Sequence, residues 1–259
     1  MEQAVFIADL DLLPPPGERY DRLYLGSEFC HWRLPDPREL HRAQRESRER
    51  GMAFSLVTPF LTETGLRRAL ALVLDLPADG GTEVVVNDLG LLEAIAGAGW
   101  KGTLVAGRLL TRQRRGPGFQ DPVGASPDAL AALRGSALDS PAFVAWLGDA
   151  YGVRRFELDD LVQGVAIGSL PEGVHLSLYR PYLLVTATRN CPWIFDGRVW
   201  QREKDCPRPC RGLALLLEPA EGGRHLIQGG CAQFLRQDEA WGDLGPAVDR
   251  VVWQPGIPA

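Results

Sequence analysis

The chain has 259 residues, 45% hydrophobic and 24% charged, a composition that fits a folded globular protein and excludes disordered and fibrous classes. A net charge of -5 and a pI near 5.5 argue against a protein whose main partner is nucleic acid or an anionic membrane surface. No window approaches the run of about 20 apolar residues that a bilayer span needs. The first residues carry acids where a secretory signal needs bases, so a cytoplasmic protein is expected. In chain order, short runs rich in Val, Ile, Leu or Phe fall at 4–7, 23–25, 54–57, 84–86 and 103–106 and read as buried parallel strands. Between them, a charged helix is predicted over 37–50, and apolar positions at helical spacing predict helices over 63–76 and 91–98. Runs at 156–158, 174–178 and 183–186 bring the strands to about eight. That total favours an α/β fold of the β/α (TIM-type) barrel kind, closed or incomplete, over an open doubly wound sheet.

Two stretches interrupt the rhythm. The segment 114–127 (RRGPGFQDPVGASP) is dense in Pro and Gly and reads as an exposed loop. Runs at 213–217 and 225–228, on either side of Glu221-Gly222-Gly223, read as strands of a small β-element. The expected organisation is one barrel domain over 1–259, with 213–259 as a C-terminal β-element closing it.

Five cysteines, Cys30, Cys191, Cys206, Cys210 and Cys231, are too few for a disulfide framework and odd in number. They point to a reducing compartment, where clustered thiols bind metal or do chemistry. Cys191, Cys206 and Cys210 form C-x14-C-x3-C, and Cys30 follows the strand at 23–25. Residues just past the strand ends of a β/α barrel line one face, so Cys30 and Cys191 can converge. Four thiolates suit a 4Fe-4S cluster or a tetrahedral zinc ion; in the remaining case the cysteines share nothing. The pairs Cys191-Pro192 and Cys206-Pro207 and the lack of C-x2-C knuckles favour the cluster. So do Arg180, Arg189, Arg202, Arg208 and Arg211, because guanidinium groups offset a cluster's negative charge. Cys231 reads as a buried structural thiol.

Other candidates have a bland counterpart each. Glu28 and His31 flank Cys30 and are either substrate contacts or turn residues. Asn87, Asp88 and Arg108 follow strands and either line a pocket for an anionic or hydroxylated substrate or cap the next helix. The basic run 108–115 (RLLTRQRR) is an anion grip or a solvated helical face, and Glu157, Asp159 and Asp160 are acid-base candidates. The histidines show no ligand spacing, and the sequence has no dinucleotide, P-loop, serine-hydrolase or zincin motif.

The order Leu23-Tyr24-Leu25-Gly26 with Cys30, Asn87-Asp88-Leu89-Gly90, Leu104-Val105-Ala106-Gly107 and C-x14-C-x3-C from Cys191 resembles the collagenase-like peptidase family. Within it, the likeness is to the iron-sulfur, oxygen-independent hydroxylase branch of UbiU/UbiV type. The resemblance implies a β/α barrel with a 4Fe-4S cluster on Cys30, Cys191, Cys206 and Cys210. It also implies anaerobic hydroxylation of a small aromatic or prenylated aromatic substrate, as in ubiquinone biosynthesis, by a heterodimer with a homologous partner subunit. Many members carry a Glu and a His-Gly or Tyr-Gly pair where this chain has 174–181 (VHLSLYRP), so a partner subunit is expected to supply missing groups. The alternatives are a non-catalytic iron-sulfur or zinc-bearing partner protein and, more remotely, a peptidase, for which no activated nucleophile is visible.

Overall fold

A computed structural model describes residues 1–115, 124–195, 206–219, 224–238 and 247–258. Eight strands close into a barrel: β1 (Glu2–Ile7), β2 (Arg22–Gly26), β3 (Ala53–Val57), β4 (Thr82–Val86), β5 (Thr103–Ala106), β6 (Arg155–Asp159), β7 (His175–Arg180) and β12 (Val248–Trp253). Neighbouring barrel strands are parallel throughout. The continuous apolar runs follow from burial on both faces. In β1, Val5 and Ile7 point outward into the layer under the helices while Ala4 and Phe6 fill the barrel; Leu23, Leu25 and Tyr24 divide likewise in β2, and Val84, Val86 and Val85 in β4.

Helices α1 (Pro37–Glu49), α2 (Glu63–Leu74) and α3 (Leu89–Gly97) follow β2, β3 and β4. The short α4 (Arg108–Thr111), α5 (Pro127–Arg134) and α6 (Pro141–Tyr151) lie between β5 and β6. Side chains of Asp36, Thr62, Ser126 and Ser140 accept the amides that open α1, α2, α5 and α6, and Pro37, Pro127 and Pro141 occupy first-turn positions where a missing N–H costs nothing. Among the described residues, no helix is long and apolar enough to cross a membrane.

The barrel expectation holds, with one strand exchanged. The run 183–186, counted toward the barrel, belongs to β8 (Tyr182–Ala187), which joins β11 (Ala232–Arg236), β10 (Leu226–Gly229) and β9 (Ala214–Leu217) in a four-stranded antiparallel sheet. Only Pro181 separates β7 from β8. A parallel neighbour needs a crossover of a dozen or more residues, so β8 cannot pair beside β7 in the barrel. The eighth place falls to β12, between β7 and β1. The turn expected at Glu221-Gly222-Gly223, residues 116–123 of the expected loop, and Arg202 lie outside the described residues.

The antiparallel sheet caps the C-terminal mouth of the barrel. Its Tyr182, Leu184, Ala232 and Phe234 pack with Phe29 from the loop after β2, and the Leu184 amide donates to Asp159 at the end of β6 (3.2 Å).

Candidate functional site

The loop that carries Cys30 is shaped where β2 ends. Gly26 has φ +138, and a Cβ there would stand 2.1 Å from the Val57 carbonyl oxygen, so the close approach to β3 requires glycine. Ser27 then accepts the Cys30 amide on its hydroxyl (3.3 Å), and a 3-10 turn over His31–Arg33 follows. In this turn the Arg33 amide donates to the Cys30 carbonyl oxygen (3.1 Å), and the amides of Trp32 and Arg33 favour the thiolate form of Cys30.

Two other thiols repeat the arrangement. Cys191 opens the 3-10 turn Pro192–Ile194, and the Trp193 amide favours its thiolate form, as the Arg208 amide does for Cys206. Each Cys-Pro pair places a proline, which has no N–H, between the cysteine and that amide. The fourth thiol, Cys210, takes a guanidinium N–H of Arg33 at 3.9 Å.

These four cysteines line one cavity of about 190 Å³ between the β2 loop, the β3 loop and the cap sheet. Phe29, Trp32 and Phe60 supply apolar wall, and Arg33, Arg189 and Arg208 supply charge. Arg189 also stacks over Phe60, 5.3 Å from the ring centroid. Burial pushes the Cys191 thiol up to about 11 despite the Trp193 amide. Among the described residues, no group of three His, Cys, Asp or Glu side chains stands close enough to hold a single metal ion. The donor set nonetheless fits a thiolate-held group: four soft ligands, main-chain amides that favour the thiolate at three of them, and arginines to offset negative charge.

The cavity has a fifth thiol that the sequence reading set aside as structural. Cys231, in the β10–β11 turn, lines the same space, packs with Cys30 in the cluster around Phe29 and donates to the Phe29 carbonyl (2.9 Å). A cysteine directly after Gly229-Gly230 in a predicted β-element was the available signal.

Glu28, Asn87, Asp88 and Arg108 stand beside this cavity without lining it. Arg108 and Glu28 are fully buried and paired through two hydrogen bonds, one of them Nε to Oε1 at 2.9 Å. The same guanidinium reaches Asp159 (2.5 Å) and the Tyr182 carbonyl (3.1 Å) and lies over the Tyr179 ring at 4.1 Å. Burial opposes the Arg108 charge, but Asp159 and Glu28 outweigh it and raise the pKa further. The basic run 108–115 thus grips anions inside the protein, since Arg115 also pairs with Asp159 (2.8 Å).

Asn87 ties two loops, donating to the Thr58 carbonyl and accepting the Leu109 amide, both at 2.9 Å. Asp88 caps α3 through the Leu91 amide (3.1 Å) and accepts the Leu61 amide (2.9 Å). Of the acid-base candidates, Asp160 pairs with Arg180 (2.5 Å), whereas Glu157 accepts the Tyr179 hydroxyl (2.5 Å) and, among the described residues, its second oxygen has no hydrogen-bond partner. Burial pushes the Glu157 carboxyl up to about 8. His31 stacks against Trp32, centroids 4.6 Å apart, and its buried Nε2 has no hydrogen-bond partner among the described residues. Arg211 pairs with Asp9 outside the cavity.

No protein-family model matches the chain, and no curated protein does. Among solved structures, it is similar to the structure of the U32 peptidase Mk0906, with 16% sequence identity and a TM-score of 0.41 over 98% of this chain and 92% of that one.

Proposed function

We propose that Cys30, Cys191, Cys206 and Cys210 hold a 4Fe-4S cluster, and that the protein supports oxygen-independent hydroxylation of an aromatic substrate, alone or as one subunit of a heterodimer. The observation that carries the cluster assignment is the convergence of these thiols, from loops distant in sequence, on one cavity lined also by Arg33, Arg189 and Arg208. Hydroxylation rests on the family resemblance set out above. A single zinc ion draws its sulfurs inward to bonds of about 2.3 Å and leaves no room between them. Thiols spread around a cavity suit a larger inorganic core.

Bound there, the cluster supplies a one-electron centre, or an iron that binds an oxygen-bearing donor. The chain's own residues do the rest. Amides of Trp32, Trp193 and Arg208 favour the thiolate forms of Cys30, Cys191 and Cys206, and the Arg33 guanidinium adds a charge-assisted bond at Cys210. Phe29, Trp32 and Phe60 exclude water and offer ring faces to an aromatic substrate, while Arg189 and Arg208 offset negative charge. Glu28 and Arg108 act beneath this surface as positioning residues: Glu28 lies two residues before Cys30, so its pairing with Arg108 anchors the loop.

Iron and acid-labile sulfide, measured on protein purified without oxygen, test the assignment. About four of each per chain are expected, with loss on Cys30→Ser, Cys191→Ser, Cys206→Ser or Cys210→Ser. Stoichiometric zinc in the wild type, or iron retained in all four variants, overturns it. The subunit reading predicts low iron when the chain is expressed alone and full iron on co-expression with a homologous partner.

A further inference from the structure

The geometry points to a redox modification site at Cys30 and Cys231: in the cluster-free protein these two thiols form a disulfide that removes Cys30 from the ligand set. This rests on the cluster assignment at Cys30 made above. The two residues are 201 positions apart, Cys30 in a barrel loop and Cys231 in the turn of the cap sheet, yet both line one cavity and pack in the same cluster around Phe29. Both line the cavity, so a small oxidant reaches them by the route that a substrate or iron uses.

The local backbone supports pairing over mere proximity. Phe29, next to Cys30, accepts the Cys231 thiol on its carbonyl at 2.9 Å, which holds the two segments together before any bond forms. Cys231 follows Gly230, whose φ of +51 marks a turn, and the Gly230 carbonyl is held by the Trp193 indole at 3.0 Å. One face of the turn is therefore tied to the Cys191 loop while its thiol reaches the backbone of the residue before Cys30. All five cysteines are free thiols in this structure.

The chemistry closes with a disulfide oxidant such as oxidised glutathione. The Cys30 sulfur attacks it and expels one glutathione thiol; the Cys231 sulfur then attacks the mixed disulfide and expels the second. One protein S–S bond forms, one glutathione S–S bond breaks, and the two electrons and two protons leave in two glutathione thiols. A loaded cluster occupies Cys30 and blocks the first step, so cluster and disulfide are mutually exclusive.

The test oxidises full-length, cluster-free protein with oxidised glutathione, counts free thiols and maps linked peptides. Five thiols should fall to three, with a Cys30–Cys231 peptide, and reduction should restore all five. Cys231→Ser should instead stop at a glutathione adduct on Cys30 and should take up iron as the wild type does. A dominant bond between any other pair, or loss of iron uptake in Cys231→Ser, overturns the proposal, the latter by making Cys231 a ligand. If the wild type takes up no iron yet forms the Cys30–Cys231 bond, the cluster assignment fails and the disulfide site stands.

Discussion

At the N-terminal mouth of the barrel, Arg250 reaches Tyr24 (2.6 Å), Glu83 (2.7 and 3.0 Å) and Glu2 (2.6 Å), and Arg22 joins through Glu2 (2.7 Å) and Ser55 (3.3 Å). At the C-terminal mouth, Arg108 makes a network of similar density with Glu28, Asp159 and Tyr182. The partners differ in kind. Every side chain around Arg250 and Arg22 belongs to a barrel strand, so that network bolts the barrel to itself. Arg108 instead joins the Cys30 loop, the end of β6 and the first strand of the cap sheet. The same guanidinium chemistry serves stability at one end and the placement of the thiol cavity at the other, in keeping with the division of labour between barrel faces.

Removing either arginine should separate these roles and give the largest effects. Arg108→Met strands Glu28 in the interior, and Arg250→Met leaves Glu83 with the Ser55 hydroxyl (3.1 Å) and Arg22 at 3.4 Å. Each should cost about 3–5 kcal/mol in denaturant unfolding, the usual penalty for breaking a buried ion pair from one side. The distinction lies in the cavity. Under conditions where both variants are folded, Arg108→Met should label faster with a thiol reagent at Cys30 and take up less iron, while Arg250→Met should match the wild type in both. Equal labelling and iron in the two variants would remove the functional half of the comparison.

What the sequence disclosed follows the same division. Seven barrel strands were legible because parallel strands buried on both faces read as unbroken apolar runs, as in Val84, Val85 and Val86. The eighth, β12, reads VDRVVW. Its Arg250 is a barrel-interior residue satisfied by partners on three other strands, and nothing local marks it as buried. The cysteines were legible through spacing and the Cys-Pro pairs. Their underpinning was not: Glu28 and Arg108 are 80 residues apart, and their pairing is a tertiary fact. Cys231 was set aside because a lone thiol after a Gly-Gly turn has no spacing partner.

The two carboxylates inside the barrel extend the comparison and give the next effect in size. Burial raises the Glu83 pKa, but hydrogen bonding from Arg250 and the nearby Arg22 charge prevail and hold the carboxyl below its ordinary value. Glu157, with the Tyr179 hydroxyl as its bonded partner, rises to about 8. A carboxyl that ionises near 4.5 when unfolded and near 8 when folded favours the fold fully only below the lower value. Between the two, its contribution falls by about 1.4 kcal/mol per pH unit, and above the upper value the loss is complete. Glu157→Gln removes this slope, so its stability relative to wild type should grow from pH 5 to pH 8 and then level. Parallel curves for the two proteins would show that Glu157 is ionised in the fold.

The smallest expected effect concerns Asp88, which sits at the C-terminal end of the barrel yet behaves like the structural residues of the other end. Its two oxygens accept two different amides, Leu91 at the start of α3 and Leu61 in the loop after β3. As a helix cap alone, Asp and Asn are nearly equivalent, and Asp88→Asn would be neutral. An asparagine has one acceptor oxygen, however, and its NH2 group cannot serve a second amide donor. Asp88→Asn should therefore cost about 1 kcal/mol, the net value of one hydrogen bond, and Asp88→Ala about twice that. The Leu61 bond also steadies the loop whose Phe60 and Thr62 line the thiol cavity. A drop in iron uptake in both variants, in proportion to the stability lost, would make Asp88 a member of the Arg108 side of the comparison; unchanged uptake with the same stability loss would place it with the bolts of the barrel.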